Sequence, residues 1–293
     1  MYPLGWNPLS PGRSGHDVMS APDLKATRYE VDGGVATVWL HRPHRHNAWT
    51  GRMHAEYRWI LAELAADARV RAVVVTGTPP AFCVGADSQA LAGHADRGGY
   101  DDGLRGELAT PGYGVRPEFD HDFAFQFALP FVTIAAVNGA AAGVGLAVAM
   151  FCDLRVIAAE AKITTAAPKL GLPAEFGMSW MLPRLVGVTR AADLLLSGRA
   201  VTGAETEAWG LWNEVLPDAD AALAAAHEHA SRLATTVAPQ SIRMTKRQLY
   251  DDLLTHDVGA SLTEARRLLG EAMSTAEYRE GVAALRERRP PRF

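Results

Sequence analysis

A turn of small residues at positions 139–145, reading GAAAGVG, could bind an anion through its backbone. It lies between an apolar run at 132–137, which predicts a buried strand, and an apolar run from 144 to about 150, which predicts a helix. Because the side chains are tiny, a ligand can touch the main chain, and the free N–H groups of a helix's first turn favour negative charge there. The turn therefore predicts a site for a phosphate or for an oxyanion that forms during a reaction.

Two earlier segments could contribute to such a site. After a β-branched run at 70–76, a tight loop ends in Gly85-Ala86-Asp87, where the N–H of Ala86 could also face a ligand. Residues 41–48 read HRPHRHNA and are rich in basic side chains. This basic segment is either a solvated loop or a cradle for an anionic ligand, and the residues alone leave both interpretations open.

The elements that must position these loops are predicted from periodicity. Residues 35–40 predict a strand paired in a hairpin with 28–31, and helical spacing extends over 49–66. Short strands are predicted at 154–158 and 162–165, followed by helices that start near 177 and at 191. Residues 92–122 show no period and predict a long lid-like loop. Helices are predicted at 203–211, 219–236, 239–253, 257–272 and 276–288.

Composition narrows the class of protein. The chain has 293 residues, a formal charge of −4 and two cysteines, which is typical of a globular protein without a disulfide framework. The acidic balance argues against a nucleic-acid partner, and no apolar stretch is continuous enough to span a membrane. We predict a cytoplasmic protein with a disordered leader over residues 1–23, which are rich in proline and glycine.

Three other site classes fit the sequence poorly. The spacing of Gly139, Gly143 and Gly145 matches a dinucleotide-binding loop, but it lies midway along the chain and no Tyr-x3-Lys is present. The chain contains no Gly-x-Ser-x-Gly, which argues against a serine hydrolase of that type. No pair spaced as His-x3-His or Cys-x2-Cys occurs, so no metal site is predicted.

Several short motifs, in their order and spacing over residues 28–285, resemble the crotonase family, the enoyl-CoA hydratase/isomerase superfamily. Each motif is weak alone, but the ordered set is specific. The motifs are Arg42-Pro43 with Asn47-Ala48, Val75-Thr76-Gly77, Ala81-Phe82 with Gly85-Ala86-Asp87, Val137-Asn138-Gly139, Gly143-Val144-Gly145, Cys152-Asp153, Leu170-Gly171-Leu172, Leu182-Pro183-Arg184-Leu185, Ser197-Gly198-Arg199 and Gly210-Leu211.

The resemblance implies an α/β fold. Residues 24–200 would form a crotonase-like spiral of ββα units, and residues 201–293 a C-terminal helical region that assembles trimers or dimers of trimers. The ligand would be an acyl-CoA thioester, with no separate cofactor, and its carbonyl oxygen would lie between the backbone N–H groups of Ala86 and Val144. The residues that would contact the substrate are Arg45, Ala48, Ala86, Asp87, Ser88, Gln89 and Val144.

Departures from the family pattern bear on the reaction. The family's hydratases place glutamates at two positions that are Ala147 and Ala167 here. Alanine cannot move a proton, whereas hydration needs carboxylates to activate water and to protonate carbon. The middle glycine of the family's triplet is Val144, whose N–H stays usable. These departures argue against hydration by the usual pair.

One carboxylate, Glu175, matches the position of the acidic residue in the family's enoyl-CoA isomerases, which need a single base. The sequence therefore favours an enoyl-CoA isomerase with Glu175 as base; alternatively, Glu175 is a helix-terminal acid or a partner of Arg184. His121-Asp122 is a second candidate acid/base pair, or a solvated loop pair. The alternative functions are a hydratase or hydrolase that uses a different base, and a non-catalytic acyl-CoA binder.

Overall fold

The computed structural model describes residues 23–89, 92 and 117–293. The predicted leader therefore lies outside the described residues apart from Asp23. Most of the predicted loop at 92–122 does so as well. Among the described helices, none combines the length and the apolar character that a membrane crossing requires.

Strands of the described residues form two sheets. The strands are β1 (Thr27–Asp32), β2 (Val35–Leu40), β3 (Ala72–Gly77), β4 (Val132–Val137), β5 (Ala141–Ala142), β6 (Leu154–Ala158), β7 (Lys162–Thr164), β8 (Val201–Thr202) and β9 (Glu214–Leu216). Six of them form one sheet in the order β1-β2-β3-β4-β6-β9, in which only β1 runs antiparallel to its neighbour. The remaining three form a small sheet in the order β5-β7-β8.

Eight α-helices lie in the described part of the chain. They are α1 (Gly51–Ala66), α2 (Val144–Met150), α3 (Met178–Ser197), α4 (Gly203–Thr206), α5 (Ala219–Thr236), α6 (Pro239–Asp252), α7 (Val258–Met273) and α8 (Ala276–Glu287). Side-chain caps explain several starts: Thr50, Asp218, Asp257 and Thr275 each accept a hydrogen bond from a backbone N–H of the first turn.

The centre of the large sheet is buried on both faces. All six residues of β3 are buried, and so are five of the six in β4. Helix α5 packs against β3, β4 and β6, while α1 lies against β1 and β2. Burial of both faces explains why these central parallel strands are continuous apolar runs rather than alternating ones.

The α/β class and most predicted elements are confirmed. Predicted and observed bounds agree to within a few residues for the hairpin, for β4 and β6, and for the helices after residue 218. The two helices predicted after 177 form the single α3, which is interrupted at Gly187, where φ is 74° and ψ 162°. Strands β5, β8 and β9 were not predicted. Strand β9 pairs with β6, so the last strand of the large sheet comes from residues 214–216.

Candidate active site

The two small-residue loops predicted to face a ligand are joined by backbone hydrogen bonds. The N–H of Cys83 donates to the carbonyl of Ala140 at 3.0 Å, and the N–H of Ala142 donates to the carbonyl of Cys83 at 2.9 Å. The loop that ends at Ala86 is therefore fixed alongside the turn that leads into α2.

Two glycines permit this close approach. Gly85 has a φ of +100°, and a Cβ there would lie 3.3 Å from the carbonyl oxygen of Ala142. At Gly145, in the first turn of α2, a Cβ would lie 2.2 Å from the carbonyl oxygen of Cys83. No larger side chain fits at Gly145 without displacing backbone, so the contact between the loops depends on glycine.

The amides of Ala86 and Val144 lie on the two joined loops. Val144 is the first residue of α2, and Gly143 before it provides no side-chain cap. Among the described residues, neither the N–H of Ala86 nor that of Val144 donates a hydrogen bond to the protein. Two donors on adjoining loops can hold a single oxygen, which is the arrangement the sequence predicts; their catalytic role stays a prediction.

Asp87 is an internal anchor of the first loop. Its side chain is only 3% exposed and pairs with Arg42 at 3.0 Å and with Arg45 at 3.2 Å. Burial alone would raise its pKa, but hydrogen bonds from Arg45, the N–H of Gln89 and Arg42 outweigh it and lower the pKa to about 2. The N–H of Asp87 is also used within the protein, since it donates to the carbonyl of Trp49 at 2.9 Å, so only the carbonyl of Asp87 is left for the predicted substrate contact.

The basic segment at 41–48 is folded around Asp87 and the buried Asn47. Arg42 also donates to the carbonyl of Ala48 at 2.6 Å, so its guanidinium holds the loop closed. Asn47 donates to the carbonyls of Thr78 and Ala81, both at 2.7 Å. The segment is thus neither a freely solvated loop nor an unpaired cradle. Of the other predicted contacts, Ala48 is buried, whereas Ser88 and Gln89 are exposed.

Glu175 lines a cleft together with the residue that precedes Val144. The cleft is bounded by Gly143, Thr165, Ala167, Pro168, Ala174, Glu175, Phe176, Met178 and Leu195. Among these, Glu175 is the only ionisable side chain, and its partial burial raises its pKa. Arg184 stacks on Trp180 and donates to its carbonyl, and the structure gives no ion pair between Arg184 and Glu175 within its described residues. A carboxylate of this kind can accept a proton near neutral pH more readily than an ordinary one.

Unusual backbone conformations surround this cleft. Phe176, directly after Glu175, has a φ of 50°, and Ala166, directly before Ala167, has a φ of 60°. Positive φ values are rare for residues with a Cβ and cluster at functional sites. The fold thus holds the chain on both sides of the cleft in conformations that local preference disfavours.

The two alanines at the family's glutamate positions differ in location. Ala147 is fully buried within α2, whereas Ala167 lines the cleft. His121 and Asp122 are both exposed at the end of the long loop. Residues 23–89, 92 and 117–293 contain no cluster of three side chains suited to bind a metal.

The sequence analysis missed a row of three aromatic rings, Trp49, Phe123 and Phe176, hereafter the aromatic row. The ring centroids of Trp49 and Phe123 are 5.4 Å apart, and those of Phe123 and Phe176 are 5.7 Å apart. Trp49 forms a backbone bridge to Ala86, so the row extends from the Ala86 loop to the Glu175 loop. Trp49 is buried, with 4% exposure. The position of Phe176 beside Glu175 was the one available signal for the row.

Comparison with known proteins matches almost the whole described chain. The family described as enoyl-CoA hydratase/isomerase matches residues 30–293. A Rhodobacter capsulatus protein described as a probable enoyl-CoA hydratase is 33% identical and covers 91% of this chain and 96% of its own. The 1,2-epoxyphenylacetyl-CoA isomerase of Escherichia coli is 32% identical, with 90% and 96% covered.

Solved structures give the same result. A Mycobacterium abscessus structure described as a probable enoyl-CoA hydratase/isomerase superposes with a TM-score of 0.78 at 32% identity, covering 91% of this chain and 98% of that one. The crotonase fold inferred from the sequence motifs is thereby confirmed.

Proposed function

Because the chain belongs to the enoyl-CoA hydratase/isomerase family, we propose that it is an acyl-CoA enzyme of the isomerase type with Glu175 as its single base. The thioester oxygen accepts hydrogen bonds from the amides of Ala86 and Val144. The substrate itself supplies coenzyme A, and no further cofactor takes part.

The observation that carries the proposal is the placement of Glu175. It lines the same cleft as Gly143, directly before the amide of Val144, and no other described residue of that lining can ionise. Ala147 and Ala167 cannot transfer protons, so a reaction that needs two carboxylates is poorly served. A 1,3-proton shift needs only one.

The reaction proceeds through an enolate. The Glu175 carboxylate takes a proton from C2 of a 3-enoyl thioester, and the electron pair moves onto the thioester oxygen. The two amides stabilise that charge, and each such donor contributes about 10²–10³ in rate. Glu175 then returns the proton to C4, which leaves the 2-enoyl thioester conjugated. Burial raises the pKa of Glu175, so the group can both take and return the proton.

Hydration through a different base is the second candidate. It is favoured by the descriptions of relatives, most of which are called hydratases, although one is an isomerase that acts on an epoxyphenylacetyl thioester. The two candidates differ in what happens to conjugation, since hydration removes it and isomerisation creates it.

The test measures ultraviolet absorbance of purified protein with 3-enoyl-CoA and with 2-enoyl-CoA. We expect a rise with the 3-enoyl substrate, and a loss of turnover of about 10²–10⁴-fold in Glu175→Gln. Glu63→Gln, an exposed glutamate of α1, is the matched control and keeps full activity. Loss of conjugation with the 2-enoyl substrate would support hydration. Binding without turnover of either would support a non-catalytic acyl-CoA binder, and unchanged turnover in Glu175→Gln would remove that residue from the reaction.

A further inference from the structure

A chain of hydrogen bonds links the guanidinium of Arg42 to the amide of Ala86 through two peptide groups. We propose that Arg42 is a positioning residue for the proposed reaction, because its positive charge orients and polarises the Ala86 N–H that donates to the thioester oxygen. The inference rests on the proposed function in one respect only, that this N–H contacts that oxygen. It adds a side chain that acts through the backbone rather than by touching the substrate.

The first link joins Arg42 to the peptide group between Ala48 and Trp49. Nη1 of Arg42 donates to the carbonyl of Ala48 at 2.6 Å. The N–H of Trp49, which belongs to the same peptide group, donates to the carbonyl of Gly85 at 2.8 Å. In a planar trans peptide the C=O and the N–H point in opposite directions. This peptide group therefore accepts from the cation on one edge and donates to Gly85 on the other.

The second peptide group, between Gly85 and Ala86, continues the chain in the same direction. Its carbonyl accepts from Trp49, so the N–H of Ala86 on its opposite edge points away from Trp49. The N–H of Asp87 donates to the carbonyl of Trp49 at 2.9 Å and holds the other side of Ala86. Ala86 is exposed, whereas Gly85 and Asp87 are buried. The direction of the Ala86 amide is therefore set by bonds to the basic segment on both sides of it.

The charges around Arg42 leave a positive sum. Arg42 and Arg45 face the single carboxylate of Asp87, at 3.0 Å and 3.2 Å. Nη1 of Arg42 donates to Asp87 as well as to the Ala48 carbonyl, so the carboxylate fixes the guanidinium against that carbonyl. Hydrogen bonds in a chain polarise one another, and an ionised donor makes the strongest of them. The cation behind the Ala86 N–H thus favours an enolate oxygen over the neutral carbonyl of the bound substrate.

The kinetic experiment separates this role from a contact with the substrate. An interaction with charge that develops during the reaction changes kcat more than KM. With 3-enoyl-CoA, we expect Arg42→Met to lower kcat about 10–100-fold and to keep KM within about 2-fold, because the donor is weakened rather than removed. Arg42→Lys keeps the cation and should restore most of kcat. Arg52→Met is the matched control, since Arg52 also pairs with a buried carboxylate, that of Glu56 at 2.8 Å, and it should keep full activity.

A second measurement needs no turnover. Infrared difference spectroscopy of the full chain with acetyl-CoA, isotopically labelled at the thioester carbonyl carbon, reports the hydrogen bonds that the carbonyl oxygen accepts. Binding should lower the C=O stretching frequency, and Arg42→Met should move it back towards that of free acetyl-CoA. The double variant Arg42→Met with Asp87→Asn also removes the buried carboxylate that has lost a partner, and it should show the same change even where the single variant does not fold.

Three results would overturn the role of Arg42. The first is a raised KM with unchanged kcat in Arg42→Met, which would make this residue a contact of coenzyme A. The second is an equal fall of kcat in Arg52→Met. The third is a carbonyl frequency that is the same in the unmodified chain and in the variants without the cation. A frequency that depends on this charge in a chain without isomerase activity refutes only the proposed reaction, and isomerase activity with a frequency independent of the charge refutes only the role of Arg42.

Discussion

Helices α2 and α7 show two opposite ways of placing apolar residues. All seven residues of α2 are buried, and its first turn touches the Ala86 loop. Of the 16 residues of α7 only Leu268 is buried, and in α8 only Ala284 is. The helix that positions the candidate site is therefore buried within the chain, whereas most residues of α7 and α8 are not.

The exposed sides of the C-terminal helices carry several large apolar side chains among charged ones. Their large exposed side chains include Leu249, Val258, Leu262, Leu269, Met273 and Leu285. A surface of this kind is typical of a protein–protein interface rather than of a solvated helix. This contrast supports the assembly that the sequence predicts, a trimer or a dimer of trimers formed through the C-terminal region, and we propose that other copies of the chain cover these faces.

A buried ion pair joins the two regions, and breaking it should have the largest effect on stability. Lys246 of α6 is buried and donates to Asp153 at 2.7 Å and to the carbonyl of Phe131 at 2.8 Å. Tyr250 donates to the same carboxylate. Lys246→Met leaves Asp153 without its cation, and we expect the free energy of unfolding to fall by about 4 kcal/mol in urea titration.

The double variant Lys246→Met with Asp153→Asn is the control for this prediction. Removing both charges ends the penalty of an unpaired buried carboxylate, so part of the lost stability should return. A single variant that loses less than about 1 kcal/mol would mean that α6 is held by its apolar contacts rather than by this pair.

A pair of glycine substitutions compares the two regions directly. Gly145→Ala in α2 places a methyl group 2.2 Å from the carbonyl oxygen of Cys83, so the loops must separate. We expect a loss of about 3 kcal/mol together with loss of turnover. Gly270→Ala in α7 meets no described atom within 4 Å and should gain up to about 1 kcal/mol from helix propensity. Thermal melts and activity assays measure both. Equal effects of the two substitutions would contradict the contrast between α2 and α7.

The same contrast explains what the sequence could predict. The strand, turn and helix around Gly143 are specified by neighbouring residues, namely an apolar run, small side chains and a second apolar run, so their bounds were predicted closely. The position of Glu175 followed from ordered motifs. Strand β9 has only three residues, too few for a period, and it exists because β6 offers an unpaired edge.

Contacts between distant residues could not be predicted. Asp87 and Arg42 are 45 positions apart, and Lys246 and Asp153 are 93 apart. Charge alone does not indicate which basic residue of the segment at 41–48 pairs inward. The aromatic row likewise depends on the fold, because Phe176 and Phe123 have no shared local pattern that would place their rings together.

Asp87 gives a smaller effect that depends on pH. Its pKa of about 2 lies below that of an unfolded aspartate, about 3.9, so its stabilisation is present above pH 4 and is lost as the pH falls towards 2. We expect Asp87→Asn to cost about 2 kcal/mol at pH 7 and to flatten the decline of stability between pH 4 and pH 2. Urea titrations across that range measure both quantities. If Asp87→Asn leaves the decline of stability between pH 4 and pH 2 unchanged, other carboxylates cause that decline.

The smallest effect on the single chain should come from the exposed face of the C-terminal helices. Leu269 and Leu285 are 58% and 80% exposed, so replacing either by lysine removes little intramolecular contact and should change the free energy of unfolding of one chain by less than about 0.5 kcal/mol. If other copies cover this face, the same lysine is buried at an interface, and the assembly should dissociate. Sedimentation velocity then shows the monomer mass in place of three or six chains.

Val31→Lys, at an exposed apolar position in β1, is the control and keeps the assembly. An unaltered mass in both leucine variants would place the interface elsewhere and leave the apolar faces of α7 and α8 unexplained by self-association.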